Sequence, residues 1–594
     1  VLQKMCATAL VGVMTMAALA GCGNDPAQGA SGSGTNSGSG TNSGSGTNSG
    51  SDTNSGSDTN SGSDANSGTS SSTPAGDNNV AGIEGFTAFE NKVNLRIPVY
   101  QRATPNGAPN AADNYWTHWV QTEFGDKYNI EVEYVALERG RENELYAQFA
   151  AAKKLPVVCF EYDYPDVTLY QNEGYFAEYD IDWFKQIAPT YWAAMEAEGL
   201  DQYTKINGEN VLLIGTRPYG KTNYQFVTFY RKDWMEAAGY TEYPGDPDKL
   251  IEMYGKIYEL GLCGDHILSG RKVGNQPGAD QNYGYRTYPQ DQELWATTGD
   301  YAIPALSTEA QREYLRNQNQ LYNLGYLDDE YNTRGDEDVN ADFINGKSFQ
   351  YSCYSTNNVD VLNQFYAANP DAKLGIIVNN GPVTYENGSC NAFRPNGIFG
   401  EFIGFSSQAT EDEKKAFAMY LEWMSQEDVL FTLQWGFEGK NFNYDESGTP
   451  VSVADQSGIE EQQSHNNNVD MWCLVVATRS LGDVDKDIQA ITPLGYPDSD
   501  QFFKDIKANY EGQLACYEAG LASPDCMFTV SIAAADEYKD VLLTTYETLR
   551  DRIVMGSVAD FDKNYDDASK QYLEAGYQKI IDERKEAFQN GNYN

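Results

Sequence analysis

Residues 215–222 read Gly-Thr-Arg-Pro-Tyr-Gly-Lys-Thr, a match to G-x-x-x-x-G-K-[ST]. In that pattern backbone amides cradle a nucleotide's phosphates and the Lys reaches the outer ones. An apolar run, 211–214, precedes it as a strand should. The chemistry also needs a helix directly behind the Thr, with its N-terminal amides facing the phosphates. Residues 223–230, Asn-Tyr-Gln-Phe-Val-Thr-Phe-Tyr, are instead β-branched and aromatic, which predicts a strand. Pro218 and Tyr219 stiffen a loop that should be supple. The match is read as a coincidence of spacing.

Other reactive spacings fare no better. Asp336, Asp338 and Asn340 begin like a calcium loop, but Ala341 stands where the turn needs Gly and Lys347 where a bidentate Glu belongs. Asp483, Asp485 and Asp487 fail similarly, with Ile488 in the sixth place. His118, His266 and His465 are not spaced for zinc with one another or with a Cys. No G-x-S-x-G elbow occurs, and 86 acidic residues hide any glycosidase pair that spacing might have revealed. No metal, cofactor or catalytic residue is expected. What does stand out is 42 Tyr and 9 Trp. A flat apolar face with a polar handle suits sugar rings, although many such rings must also serve as core.

These side chains need a scaffold, and the chain's start says where that scaffold works. Lys4 precedes an apolar stretch over 5–20, short for a membrane span and ending in Leu-Ala-Gly-Cys22. Residues 1–21 read as a secretory signal, and the ending resembles a bacterial lipobox, in which Cys22 would carry lipid. Residues 31–68 repeat SGTNSG and its SGSDTN variants, with nothing able to bury surface. The segment 22–90 is expected to be a disordered tether, reaching roughly 40–50 Å as a random coil.

The remaining length exceeds one hydrophobic core, so two lobes are expected. A net charge of −45, from 86 acidic and 41 basic residues, argues against nucleic acid and against polyanionic ligands, while leaving room for one local basic pocket. Apart from Cys6 and Cys22, seven scattered Cys form no C-x-x-C and several sit in apolar runs. Most read as buried thiols, and a Cys516–Cys526 bridge is left open. Strands over 92–100, 130–136 and 155–160 alternate with helices over 115–128 and 142–153. That order predicts an α/β fold with mostly parallel sheets flanked by helices, and ligand contacts beyond the strands' carboxyl ends. Those ends carry Tyr100, Arg102, residues 114–116 and residues 161–164. Helices follow over 247–260, 308–324, 411–424, 536–555 and 567–588, with strands over 349–353 and 400–406.

Several stretches then resemble one family. Tyr-Arg-Lys-Asp-Trp-Met-Glu-Ala-Ala-Gly at 230–239, Leu-Tyr-Asn-Leu-Gly-Tyr-Leu-Asp-Asp-Glu at 321–330, Phe-Ile-Asn-Gly-Lys at 343–347 and Trp-Gly-Phe-Glu-Gly-Lys-Asn-Phe-Asn at 435–443 are similar, in order and spacing, to the extracellular solute-binding lipoproteins of bacterial ABC importers, oligosaccharide type (family 1). The resemblance implies a hinged two-lobe fold of the periplasmic-binding-protein type II. It places 91–213 with 400–470 in one lobe and 214–399 with 471–594 in the other. It further implies an oligosaccharide ligand, ABC permease subunits as partners, and no enzymatic activity. The protein would sit lipid-anchored on the outer face of a cell membrane, of Gram-positive type. Residues 212–229 become the first crossing between lobes. Expected stacking residues are Trp116, Tyr162, Tyr224, Trp295 and Trp435, and expected polar grips are Asp163, Arg217, Asn357, Arg394 and Glu438. Arg231, Asp233 and Trp234 read as a structural lock, and Trp423 and Trp472 as core. The alternatives are a surface glycosidase, or a binder of peptide or another solute.

Overall fold

The computed structural model describes residues 83–102, 110–270, 292–298, 303–355, 359–383, 393–453, 456, 458–492 and 496–593. They belong to one compact unit spanning 77–594. The signal, most of the tether, Cys22 and Asn357 lie outside the described residues.

The chain begins with β1 (Val93–Gln101), whose inward residues Val93, Leu95 and Ile97 are buried. A helical stretch follows from Tyr115, started by a capping box in which Asn114 and Thr117 satisfy each other's end groups. Asn129 stops it in the left-handed region, φ 58°. β2 (Ile130–Glu138) then pairs with β1 in parallel. β3 (Val158–Glu161) is fully buried, and a small hairpin of β4 (Lys205–Ile206) and β5 (Glu209–Asn210) leads into β6 (Leu212–Thr216). β7 (Phe226–Arg231), β8 (Gln350–Tyr354) and β9 (Leu374–Ile376) form a second sheet in the order β8-β7-β9. β10 (Phe399–Phe405) returns to the first region and runs between β3 and β6. β11 (Phe442–Tyr444) and β12 (Pro450–Ser452) make a last hairpin. The Val157 N–H donates to the Arg96 carbonyl at 2.8 Å, tying β1 to the entrance of β3.

The sheets differ from expectation in one respect. Among the described strands, only β1 and β2 pair in parallel; both three-stranded sheets are antiparallel. β10 does not reach its sheet through a helical crossover from β3. It arrives after the whole β7–β9 excursion and runs against both neighbours. The α/β character holds; the mostly parallel pairing holds only for the opening β-α-β unit.

The two three-stranded sheets lie in separate cores. The largest gathers Leu95, Phe160, Leu213, Ile403, Phe417 and Trp423 with the rest of 93–214, 402–433 and 471–476. Trp423 and Trp472 belong to it, as expected. A second core covers one side of the β7 sheet with Val227, Phe229, Phe365, Ile376 and Phe502, and a third packs Trp234, Leu250 and Tyr254 near Phe349. The C-terminal helices Ala533–Val554, Phe561–Tyr572 and Gln578–Gln589 form a fourth with Leu315. Arg231 holds Asp233 with two bonds, 2.9 and 2.6 Å, and lies 4.4 Å over the Trp234 ring, the structural lock read from those residues. Cys516 and Cys526 are not bonded to each other. Among the described residues no helix is long and apolar enough to cross a membrane.

Three segments run between the first sheet and the second. β6 leaves through Thr216, β10 returns through Ile398, and Thr216 bridges Val476 in parallel. They lie close: the Thr216 N–H donates to the Val475 carbonyl, the Ala477 N–H to Thr216, and the Arg217 N–H to Ile398. A side chain on Gly220 would stand 2.5 Å from the Ile398 Cα. The second glycine of the phosphate-like pattern therefore serves the close approach of two backbones. No helix follows Thr222, and β7 takes that place.

Candidate functional site

The carboxyl end of β3 is built on a buried carboxyl. Glu161 is 2% exposed, and its Oε1 accepts from Arg139 (3.0 Å), the Tyr100 hydroxyl (3.3 Å) and the Tyr162 N–H (2.8 Å). Arg139 also donates to Glu142 at 2.6 Å and lies over the rings of Tyr100 (4.5 Å) and Tyr162 (5.6 Å). Burial pushes the Glu161 carboxyl up to about 7, more than the Arg139 charge can offset. This platform fixes the turn that leaves Tyr162 and Asp163 partly exposed beyond the sheet.

Arg102, just past β1, makes a two-pronged pair with Asp470 at 2.9 and 3.0 Å. Asn466 exchanges bonds with the Arg102 backbone, both 2.7 Å, and the His465 ring lies 3.4 Å from Asp470. Burial alone would raise Asp470, but its bonds from His465 and Arg102 prevail and hold it below the usual carboxylate range. Glu401 on β10 has the opposite fate. It is 0% exposed and neither oxygen closes a hydrogen bond, so burial pushes it well up, with Tyr162 and Arg139 offsetting only a part.

The crossing segments add cations and amides beside this platform. Arg217 donates Nε to the Phe399 carbonyl at 3.0 Å. Arg394 pairs through two nitrogens with Asp525, Nε at 2.8 Å, and its carbonyl accepts from Asn223 at 3.2 Å. Burial raises Asp163, with Asp166 adding to the shift, while Arg139, Lys539 and Arg394 pull it back. The Thr478 hydroxyl donates to Gln225 at 3.1 Å, joining the third crossing to the first. Arg479 lies 4.8 Å over the buried Trp435 ring and donates to Ser452 (3.3 Å) and Gln463 (3.1 Å).

The expected residues thus divide. Tyr162, Asp163, Arg217 and Arg394 stand partly exposed around the crossings. Trp435 is not: it is 2% exposed, packed against Phe431 and Phe442, with the Arg479 guanidinium over its face. Trp116 is not a free face: it is 0% exposed, stacked on Phe437 at 5.7 Å, with its N–H donated to the Gln462 carbonyl at 3.2 Å. Tyr224 is 2% exposed among Tyr219 and Tyr510. Trp295, on the short helix Gln292–Thr298, is buried with its N–H on the Pro524 carbonyl at 2.7 Å. Each of these rings meets core neighbours where a sugar was expected. Glu438 is exposed on the turn before β11. Sequence reasoning missed Arg139, Glu401, Asp470 and Arg479. Glu401 alone had a local signal, a charge inside the apolar run Phe-Gly-Glu-Phe-Ile-Gly-Phe.

A hollow of about 840 Å³ lies elsewhere, over the β7–β9 side, lined by Thr228, Tyr230, Tyr243, Ile377, Tyr496 and Asp505 among others. None of the expected residues lines it, and no residue of β1, β2, β3, β6 or β10 does. A ligand there would have no hold on the first sheet.

No family model and no curated protein sequence matches the chain. Solved structures do. The alginate-binding protein AlgQ2, solved without calcium, superposes with a TM-score of 0.55 at 14% identity, over 85% of this chain and 100% of that one. The Streptococcus pneumoniae ABC-transporter substrate-binding protein FusA, in complex with kestose, gives 0.55 at 13%, over 84% and 99%. An HMO-binding solute-binding protein associated with an ABC transporter, from Bifidobacterium longum infantis, gives 0.53 at 12%, over 84% and 99%. Together with the two sheets, their separate cores and the three crossing segments, these superpositions show that the chain has the two-lobe α/β fold of the solute-binding proteins.

Proposed function

We infer that this chain captures an oligosaccharide between its lobes and passes it, uncut, to the permease of an ABC importer. The lobes are approximately 91–213 with 400–476, and 214–399 with 477–594; the boundary expected at 470 moves because Met471–Val476 pack into the first core. One observation carries the reading. Tyr162 and Asp163 at the end of β3 and Arg217 and Arg394 on the crossings are all partly exposed, with Arg394 near enough to pull the Asp163 carboxyl back down. A flat ring flanked by carboxylate and guanidinium groups suits the vicinal hydroxyls and apolar faces of sugars. A ligand touching both lobes stabilises their closed arrangement by its differential contacts. The three similar structures are an alginate-binding protein, a complex with kestose and an HMO-binding protein, which supports the same ligand class.

Burial raises the carboxyls of Glu161, to about 7, and Glu401, but at 2% and 0% exposed neither can reach a glycosidic oxygen. Lipid attachment at Cys22 and the tether over 22–90 complete the proposal by holding the binding unit near a membrane outside the cell. Calorimetry with a panel of oligosaccharides, followed by mass spectrometry of the recovered sugar, tests it. Micromolar or tighter binding with full recovery is expected; fragments shorter than the added sugar would contradict it.

A further inference from the structure

We propose that the captured saccharide carries a carboxylate, and that Arg479 together with Arg217 receives it; this rests on the reading of the crossing region as the saccharide site. The chain holds 86 acidic residues against 41 basic ones, so an arginine rarely lacks a carboxylate within reach. The other arginines at or near this site follow that rule: Arg102 pairs with Asp470, Arg139 with Glu142 and Glu161, and Arg394 with Asp525. Arg479 and Arg217 do not. Among the described residues neither makes an ion pair, and their partners are neutral: Ser452 and Gln463 for Arg479, the Phe399 carbonyl for Arg217.

A half-buried guanidinium without a counter-charge is costly. Burial pulls Arg479 down to about 10, and no carboxylate restores it. Its remaining N–H groups are still aligned, because the plane rests on the Trp435 ring and the Gln463 amide fixes its rotation. Both terminal nitrogens of Arg217 are likewise unclaimed, since its one side-chain bond uses Nε. The two side chains leave adjacent crossing segments, joined at Thr216 and Val476. A planar, pre-aligned fork without an acid is the group that accepts a carboxylate through paired hydrogen bonds. Neutral sugars would leave that charge uncompensated; a uronic acid unit would neutralise it.

The test is calorimetric titration of the full chain with tetramers of galacturonate, glucuronate and mannuronate, each against the tetramer of its neutral hexose. At least one uronate tetramer should bind about 10- to 100-fold tighter than its neutral counterpart, the scale of a charge-assisted contact. That preference should shrink as salt is raised. R479Q and R217Q should each reduce uronate affinity, and R479K should recover only a part of it, because an ammonium lacks the fork. If R479Q fails to fold, by loss of its melting transition, R217Q and the salt dependence carry the result. Equal affinity for acidic and neutral tetramers overturns the proposal while leaving sugar capture standing. Uronate affinity unchanged in folded R479Q and R217Q overturns it as well. Binding of neither class brings down both the proposal and the reading beneath it.

Discussion

Tyr162 and Asp163 are presented to solvent by a carboxyl that is itself out of reach, and the two roles should separate on mutation. Tyr162→Ala is expected to weaken oligosaccharide binding by about 1–3 kcal/mol, the scale of an interfacial aromatic anchor. Trp116→Ala and Trp295→Ala should instead lower unfolding free energy by about 3–5 kcal/mol, as buried aromatics do. Denaturant titration and calorimetry on the same variants distinguish the two outcomes. Glu161 adds a pH signature. Its folded carboxyl titrates near 7 against about 4.5 unfolded, so between these values the native state holds a proton that the unfolded chain has released. Its contribution to stability is therefore fully present below about 4.5 and lost as pH rises through 7. Urea melts of the wild type should show that decline, and Glu161→Gln should remove its share. At this scale the sequence was only partly legible. Aromatic abundance pointed to ring faces, but Trp116, Tyr224 and Trp295 are core because exposure depends on partners such as Phe437 and Pro524, hundreds of residues away. Arg479 carries no local mark at all; its meaning comes from lacking an acid that the fold could have supplied.

Elements were easier to read than pairings. The helices read over 411–424 and 247–260 stand at Glu411–Met424, opened by the Thr410–Glu413 box, and at Pro247–Glu259, opened by Asp246. The alternating start of β1 was equally plain. Strand direction was not, because β10 lies more than 230 residues from its partner β3, and no local pattern encodes which way it enters. The phosphate-like loop shows how a correct element assignment resolves a motif. Predicting a strand after Thr222 excluded a nucleotide cradle, and β7 stands there. The glycines of that loop answer to packing, so Gly220→Ala, pressed against the backbone of residues 397 and 398, should cost about 1–3 kcal/mol of stability. Lys221 is exposed and lies 5.8 Å from the Tyr517 ring, so Lys221→Ala should leave the melting curve within about 0.5 kcal/mol of wild type. Thermal denaturation of both variants, with and without ATP, checks the assignment; a nucleotide-dependent rise in melting temperature would contradict it.

For the whole molecule, the physical claim is that two separately cored lobes joined by three close-packed segments bind one sugar by touching it from both sides. The lipid attachment proposed for Cys22 has its own test. Cys22→Ser should move the protein from the membrane pellet to the soluble fraction with sugar affinity unchanged, and retention in the pellet would refute the anchor. The central claim itself is met most directly by native mass spectrometry of the folded chain mixed with an equimolar pool of oligosaccharides. The account predicts one added mass equal to a single intact oligosaccharide, absent in Tyr162→Ala. A bare protein peak accompanied by shortened sugars, or by an untouched pool, would contradict it.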